Sequence, residues 1–391
     1  SLRAMLTPPL PTLLVIPTGV GCAVGGFAGD GLPAARLLAA ASGCLITHPN
    51  VMNGAALYWS DRRIHYVEGW ALDRFAAGDL ALAPVAGRRL GLLLDAGIEP
   101  ELRQRQLQAA EACRASLGLA IGPVVTTEAP LGVGLSLGPS GASWGTLARP
   151  DALLRAAEKL VAAGATAIAV VARFPDDSGS EALAAYRHGA GVDALAGAEA
   201  VISHLLVQHL GIPCAHAPAL APLPLDPDLD PRAAAEELGH TFLPSVLVGL
   251  SRAPDLVPWR PLTGAMPPEP TAATAAGTVG SLQSTAPGLG PGGLLLAAGR
   301  GELLLSSALG AVVAPAGALG GEAVLACAER GVPLIAVTGN PCVLAVDSEA
   351  LGLKVLNASS YSEAAGLVLA LREGLDPAAL QRPLERMGQL G

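Results

Sequence analysis

Apolar residues in this chain fall into short unbroken runs, separated by stretches in which they recur every three or four positions. The runs at 13–17, 43–47, 90–95, 122–127, 166–172 and 245–250 read as strands, because a strand buried on both faces of a parallel sheet is apolar throughout. The longer period returns at 33–41, 71–77, 100–117, 150–163, 180–187, 196–210 and 231–238, which predicts helices there. The helix from 150 is the best marked. Pro150-Asp151 opens it, Leu153, Leu154, Ala157, Leu160 and Val161 line one side, and Gly164 closes it. Strands alternating with helices predict an α/β fold, with a largely parallel sheet and Rossmann-like βαβ units.

The alternation stops between 267 and 293, where Pro, Gly, Thr, Ala and Ser dominate and Glu269 is the only charge. Such a stretch reads as an irregular connector. Beyond it, apolar runs at 294–297, 311–314 and 333–337 frame a helical pattern opened by Gly320-Gly321, and one more helix follows near 362–373. The expected organisation is an N-terminal α/β lobe over 1–266, the connector 267–293, and a C-terminal Rossmann-like lobe over 294–391. A ligand would bind in the cleft between the lobes. With 391 residues, 51% of them hydrophobic, the chain can build both cores.

Charge and cysteine usage narrow the function. A formal net charge of -9 argues against a nucleic-acid partner. Lys159 and Lys354 are the only lysines, and Lys159 sits in a solvated helical pattern, so Schiff-base chemistry is disfavoured. Six cysteines without a C-x-x-C pair read as reduced, buried thiols. Residues 4–29 carry no charge, but Pro8, Pro9, Pro11 and Pro17 break any signal helix, and Gly19 stands where a lipoprotein signal has Leu three residues before Cys22. The uncharged run Leu303 to Gly321 holds Pro and Gly, which suits a strand and loop better than a membrane span. The expectation is a cytoplasmic protein with a small-molecule ligand and no membrane or nucleic-acid partner; self-association into a homo-oligomer stays open.

Candidate chemistry clusters at the ends of the apolar runs, where α/β proteins bind ligands. Thr18 to Asp30, directly after Leu13–Ile16, holds Gly19, Gly21, Gly25, Gly26 and Gly29. A backbone so rich in glycine can turn sharply and offer its N–H groups to an anion. It matches neither the P-loop nor the dinucleotide fingerprint, so the ligand stays unnamed. Asp30 closes this loop. After the next run come His48, Asn50 and Asn53, an imidazole and two amides suited to acid–base work and to polarising a carbonyl. Asp95 follows another run and could hold a hydroxyl or a metal. Ser143, before Trp144, lies outside any nucleophile elbow and reads as a hydroxyl of a polar binding loop. Arg173 could clamp a carboxylate or phosphate, with Asp176 beside it and Glu128 as a further assisting carboxylate. His216, held in a proline-flanked segment, is the second acid–base candidate. Gly320 and Gly321 open a helix whose free N–H groups suit an anion, and Asn340 follows the next run.

The same residues carry a resemblance that spans nearly the whole chain. Pro17-Thr-Gly-Val-Gly21, Thr47-His-Pro-Asn-Val-Met-Asn-Gly54, Asp95-Ala-Gly-Ile-Glu-Pro-Glu-Leu102, Ala129-Pro-Leu-Gly-Val133, Ser140-Gly-Ala-Ser-Trp-Gly145, Ala172-Arg-Phe-Pro-Asp-Asp177 and Cys214-Ala-His-Ala-Pro-Ala-Leu220 resemble an uncharacterised family of cyanobacteria and plant plastids, carried as a domain of unknown function. The resemblance implies a soluble cytoplasmic or plastid protein and brings no catalytic residues with it.

Together these residues point to an enzyme for a small polar, anionic metabolite. His48 and His216 would move protons, Asn50, Asn53 and Arg173 would orient the substrate, and Asp176 or Glu128 would assist. Hydrolysis or group transfer at a carbonyl-type centre fits this inventory better than hydride transfer. Two alternatives remain: a non-catalytic sensor of a metabolite or nucleotide, and a metal-dependent hydrolase using Asp176, His204 and His216. The pattern specifies no cofactor, and three scattered histidines make no metal-binding motif.

Overall fold

The computed structural model describes residues 7–52, 61–177, 179–237, 243–259, 294–296, 302–384 and 386–388. Its largest sheet has six parallel strands drawn from both ends of the chain. These are β1 (Thr12–Leu14), β2 (Leu45–Thr47), β3 (Ile64–Tyr66), β14 (Ala311–Pro315), β15 (Leu334–Val337) and β16 (Leu356–Ala358), in the order β16-β15-β14-β1-β2-β3. A second parallel sheet comes from the middle of the chain: β5 (Arg89–Leu94), β6 (Ala120–Thr126), β9 (Ala167–Arg173) and β10 (Cys214–Ala219), ordered β10-β9-β5-β6. A smaller antiparallel sheet joins β4 (Leu80–Ala83), β11 (Asp255–Pro258), β12 (Leu294–Leu296) and β13 (Glu302–Leu304) in the order β11-β4-β13-β12. Finally, β7 (Val133–Leu137) and β8 (Ser143–Leu147) form an antiparallel hairpin.

The α/β reading of the sequence holds, but its partition does not follow the chain. β1 pairs with β14 on one side and β2 on the other, so residues after 294 complete the sheet that the N terminus begins. The expected C-terminal lobe is therefore half of a unit, and the expected N-terminal lobe contributes to two. The proposed connector 267–293 lies outside the described residues.

The inner strands β1, β14, β15, β5 and β9, with β2 and β10, are buried on both faces, as apolar runs require, whereas β3, β6 and β16 at sheet edges are partly exposed. In β5, Leu90, Leu92 and Leu94 enter one apolar core while Leu93 enters another; in β1, Leu13 and Leu14 divide the same way. Helices begin and end where the sequence says. Pro100 starts Pro100–Leu117 and left-handed Gly118 stops it, and Ala196–Leu210 ends at left-handed Gly211. One reading is corrected: 245–250 is not a strand but part of the helix Leu243–Leu250. Leu243, Val246, Leu247 and Leu250 are all buried at helical spacing, and a helix apolar all round cannot be told from a buried strand over so short a run.

Candidate functional site

The two parallel sheets meet at a cavity of about 80 Å³ lined by Thr18, Ala28, His48, Pro49, Asn50, Glu68, Gly69, Glu199, Ala200, Ser203, His204 and His216. Thr18, His48 and Glu68 lie just past the carboxyl ends of β1, β2 and β3, where a parallel sheet opens its crevice. Glu199, Ser203 and His204 come from the helix Ala196–Leu210, and His216 from β10 beside it. A wider hollow of about 520 Å³ lies elsewhere, lined by Arg88, Arg89 and Arg252 among others. Arg88 is already bound there by Asp255, Ala253 and Thr166, and no histidine or carboxylate joins that lining.

Two imidazole–carboxylate contacts face the small cavity. His216 is buried, with its Nδ1 3.3 Å from Ser203 Oγ and its Nε2 3.1 Å from Glu199 Oε1. The second contact is close but poorly aligned, so Nε2 remains without a proper hydrogen bond in this buried position. His204 Nε2 lies 3.1 Å from Glu68 Oε1. Glu68 Oε2 meanwhile accepts from the Trp70 and Ala71 N–H groups and caps the helix Gly69–Ala77. Glycine at 69 leaves room for the imidazole, since a Cβ there would sit 2.9 Å from His204 Nε2.

Burial sets the protonation states. It pushes the Glu68 carboxyl up to about 8, against the pull of the capping N–H groups, and it lowers His204. At neutral pH this pair therefore holds a proton between Oε1 and Nε2 and carries no net charge. His48 is pushed down to about 4 by burial and by neighbouring His204. It is a neutral imidazole whose Nε2 accepts the Ile16 N–H at 3.1 Å, which leaves its proton on Nδ1. Behind Glu199 stands a second tier of acids. Desolvation raises Asp193 well above the carboxylate range and brings Glu236 to about 7, where its Oε2 accepts from Tyr186 Oη at 2.8 Å and the Ala28 N–H at 3.0 Å.

The structure brings together His48, Asn50 and His216 but sends the other sequence candidates elsewhere. The glycine-rich loop lends Thr18 and Ala28 to the cavity lining, and several of its N–H groups are occupied from within. Val24 donates to Asn340 Oδ1 at 2.8 Å, Gly25 to Asp30 Oδ1 at 2.6 Å, and Gly29 to the Asn50 carbonyl at 2.8 Å. Gly19, Gly21 and Gly25 turn the chain in the left-handed region, and Gly26 packs its α-carbon against the Cys22 carbonyl. Asp30 is also held by Arg232 at 2.8 Å, and Asn340 by Val24 and Tyr361. Asp95 is a buried strut that accepts from the Gly97, Leu131 and Arg173 N–H groups. Ser143 Oγ donates to the Ala194 carbonyl and accepts from the Gly197 N–H, which ties the hairpin to the start of the helix Ala196–Leu210. Arg173 pairs with Glu99 at 2.9 Å and Asp176 at 2.7 Å outside the cavity, and exposed Glu128 is bound by Arg155. At the helix opened by Gly320 and Gly321, the Ala323 N–H is taken by Asp73 at 3.0 Å. Asn53 lies outside the described residues.

The metal set of Asp176, His204 and His216 does not assemble, since Asp176 stays with Arg173. Among the described residues no three His, Cys, Asp or Glu side chains are placed to share one ion. Glu199 and His204 do reach the same cavity although they sit five apart on their helix, because the opening spans more than one helical face. Glu68, Ser203 and Thr18 are site residues that the sequence reading did not single out.

A family model described as a protein of unknown function (DUF3326) matches residues 11–381. A protein of Synechococcus sp. named an uncharacterized lipoprotein is 52% identical over 386 residues, covering 99% of this chain and 97% of that relative. No solved structure matches the chain.

Proposed function

We propose that this chain, which belongs to the DUF3326 family, is a hydrolase or group-transfer enzyme that attacks a carbonyl-type centre with Ser203. The observation that carries this reading is the relay of buried Ser203 Oγ, buried His216 and half-buried Glu199, gathered at one cavity. Nucleophile, base and orienting carboxylate in this order are what acyl transfer requires. In the productive tautomer His216 Nδ1 takes the Ser203 proton as Oγ adds to the carbonyl carbon. Glu199 stabilises the imidazolium from the Nε2 side. The Nδ1–H of neutral His48 is the donor for the oxygen that becomes negative. His216 then returns the proton to the leaving group, and water or a second substrate releases the acyl group from Ser203.

The cavity also constrains the substrate. Among the described residues no Arg or Lys lines it, whereas Glu68 and Glu199 do. A neutral or cationic reacting group fits better than the anion expected from Arg173. Roughly 150 Å³ is enough to enclose benzene, so a site of about 80 Å³ takes only a few heavy atoms of the substrate.

The lipoprotein name of the relative raises Cys22 as a lipid attachment point. Maturation there would remove β1, the strand that joins β14 to β2 within the six-stranded sheet, and Cys22 itself is buried. That burial favours the cytoplasmic reading over lipidation at Cys22. No described helix is long and apolar enough to cross a membrane.

The test is an activity-based fluorophosphonate probe together with a panel of small esters and amides. One covalent adduct on Ser203 is expected, lost in Ser203→Ala, and His216→Asn should lower kcat by about 100-fold or more. Wild-type turnover in Ser203→Ala would overturn the assignment. Ligand binding without any turnover would favour the sensor reading.

A further inference from the structure

The glycine-rich loop runs beside the loop that follows β15, in the opposite direction. Ala23 N–H donates to the Pro341 carbonyl and Val343 N–H to the Val20 carbonyl, both at 3.0 Å. Asn340 adds a bond in each direction to Val24, both 2.8 Å, which fixes the register. Between the two backbone bonds Gly21 and Cys22 together face Cys342, a one-residue bulge with Gly21 in the left-handed region, and Cys342 packs against the core that contains Cys22. Facing residues of paired antiparallel backbone have α-carbons roughly 4.5–5.5 Å apart, and a disulfide accepts roughly 4.4–6.8 Å. The other four cysteines stand on separate elements: Cys44 before β2, Cys113 and Cys327 in different helices, and Cys214 in β10.

We propose that Cys22 and Cys342 are a reversible disulfide site, oxidised by low-molecular-weight disulfides, that fastens the glycine-rich loop to the loop after β15. Access decides the order of events. Cys342 is half-buried and Cys22 is buried, so the small disulfide meets Cys342 first. The pairing of the two thiols lowers Cys342 and raises Cys22, so the outer sulfur is the one that ionises first. It attacks one sulfur of the oxidant, forms a mixed disulfide and expels the first small thiolate. That thiolate takes the proton of Cys22, whose sulfur attacks Cys342 Sγ and expels the second small thiolate. Two protein thiols are oxidised to one disulfide, and one small disulfide is reduced to two thiols. Thr18 and Ala28 flank Cys22 in sequence and line the cavity, so the bond tethers the segment that forms the cavity wall.

The full chain is incubated with oxidised glutathione at neutral pH, alkylated and digested with trypsin. The expected product joins peptide 4–36 to peptide 331–354 and disappears with dithiothreitol. In Cys22→Ser the second step is blocked, and one glutathione stays on Cys342. In Cys342→Ser neither product forms. Without oxidant, Cys342 should alkylate about tenfold faster than any other cysteine. Full alkylation of both cysteines after oxidation, or a bond from Cys342 to another cysteine, would overturn the proposal.

Discussion

Replacing Glu68 with Gln separates the two things this carboxyl does. Its Oε2 caps the helix Gly69–Ala77, and its Oε1 shares a proton with His204. Glutamine keeps an oxygen for the capping N–H groups and offers an amide N–H to His204 Nε2, but it cannot ionise. In the wild type the folded carboxyl titrates at about 8 instead of 4.5. Between those values the folded chain holds a proton that the unfolded chain has lost, so the contribution of Glu68 is complete below 4.5 and falls as pH rises towards 8. Each tenfold change in proton affinity is about 1.4 kcal/mol, so the loss across that window is on the order of 5 kcal/mol. His204, lowered by burial, acts oppositely and weakens the fold as pH drops below its ordinary range. Urea unfolding at pH 5, 7 and 9, followed through Trp fluorescence, reads the effect. Glu68→Gln should match the wild type at pH 5 and exceed it by several kcal/mol at pH 9. Asp193 and Glu236 tilt both curves alike, so the difference between them reports Glu68 alone. An equal loss at all three pH values would refute the buried, protonated carboxyl.

Two further substitutions test the scaffold. Gly25→Ala combines a backbone at φ 89° with a Cβ driven into the Ile16 side chain, and should cost about 2 to 4 kcal/mol in urea unfolding. Asp95→Ala strands three N–H groups at the ends of β5, β7 and β9, for a loss of about 3 to 5 kcal/mol, while kcat per folded molecule stays at the wild-type value because Asp95 does not line the cavity.

Strand and helix identity was legible wherever the apolar pattern was long or well punctuated. The helices from 100 and 196 lie where the sequence put them, and the runs at 90–95 and 166–172 became β5 and β9. Short strands such as β3, β4 and β16 carry too few residues to show a period, and β8 alternates half-buried with exposed positions around Gly145. The partition of the fold was not legible at all. Nothing local marks that β14 will pair with β1, because the pairing of parallel strands far apart in sequence is decided by the burial of whole faces. A compositional break at 267 suggested a border between domains, yet the chain crosses it and returns to the same sheet.

The site was half legible for a related reason. Polar side chains directly after apolar runs, such as His48, sit at strand ends and were found by position. Those chosen for charge alone, Arg173, Asp176 and Glu128, had partners close by in the fold and satisfied one another on the surface. In the glycine-rich loop, N–H groups look the same in sequence whether a ligand or the protein fills them; Asn340, Asp30 and Asn50 take those of Val24, Gly25 and Gly29. Ser203 and His216 left a signal of another kind: each is a polar residue among positions that are otherwise buried and apolar, Ser203 between Ile202 and Leu206, His216 between Ala215 and Ala217. A buried polar atom costs free energy unless something bonds to it. The Nε2 of His216 lacks such a well-aligned bond within the chain, with Glu199 Oε1 3.1 Å away as the nearest acceptor for it, and that unsatisfied position sets the histidine apart from the buried polar groups around it.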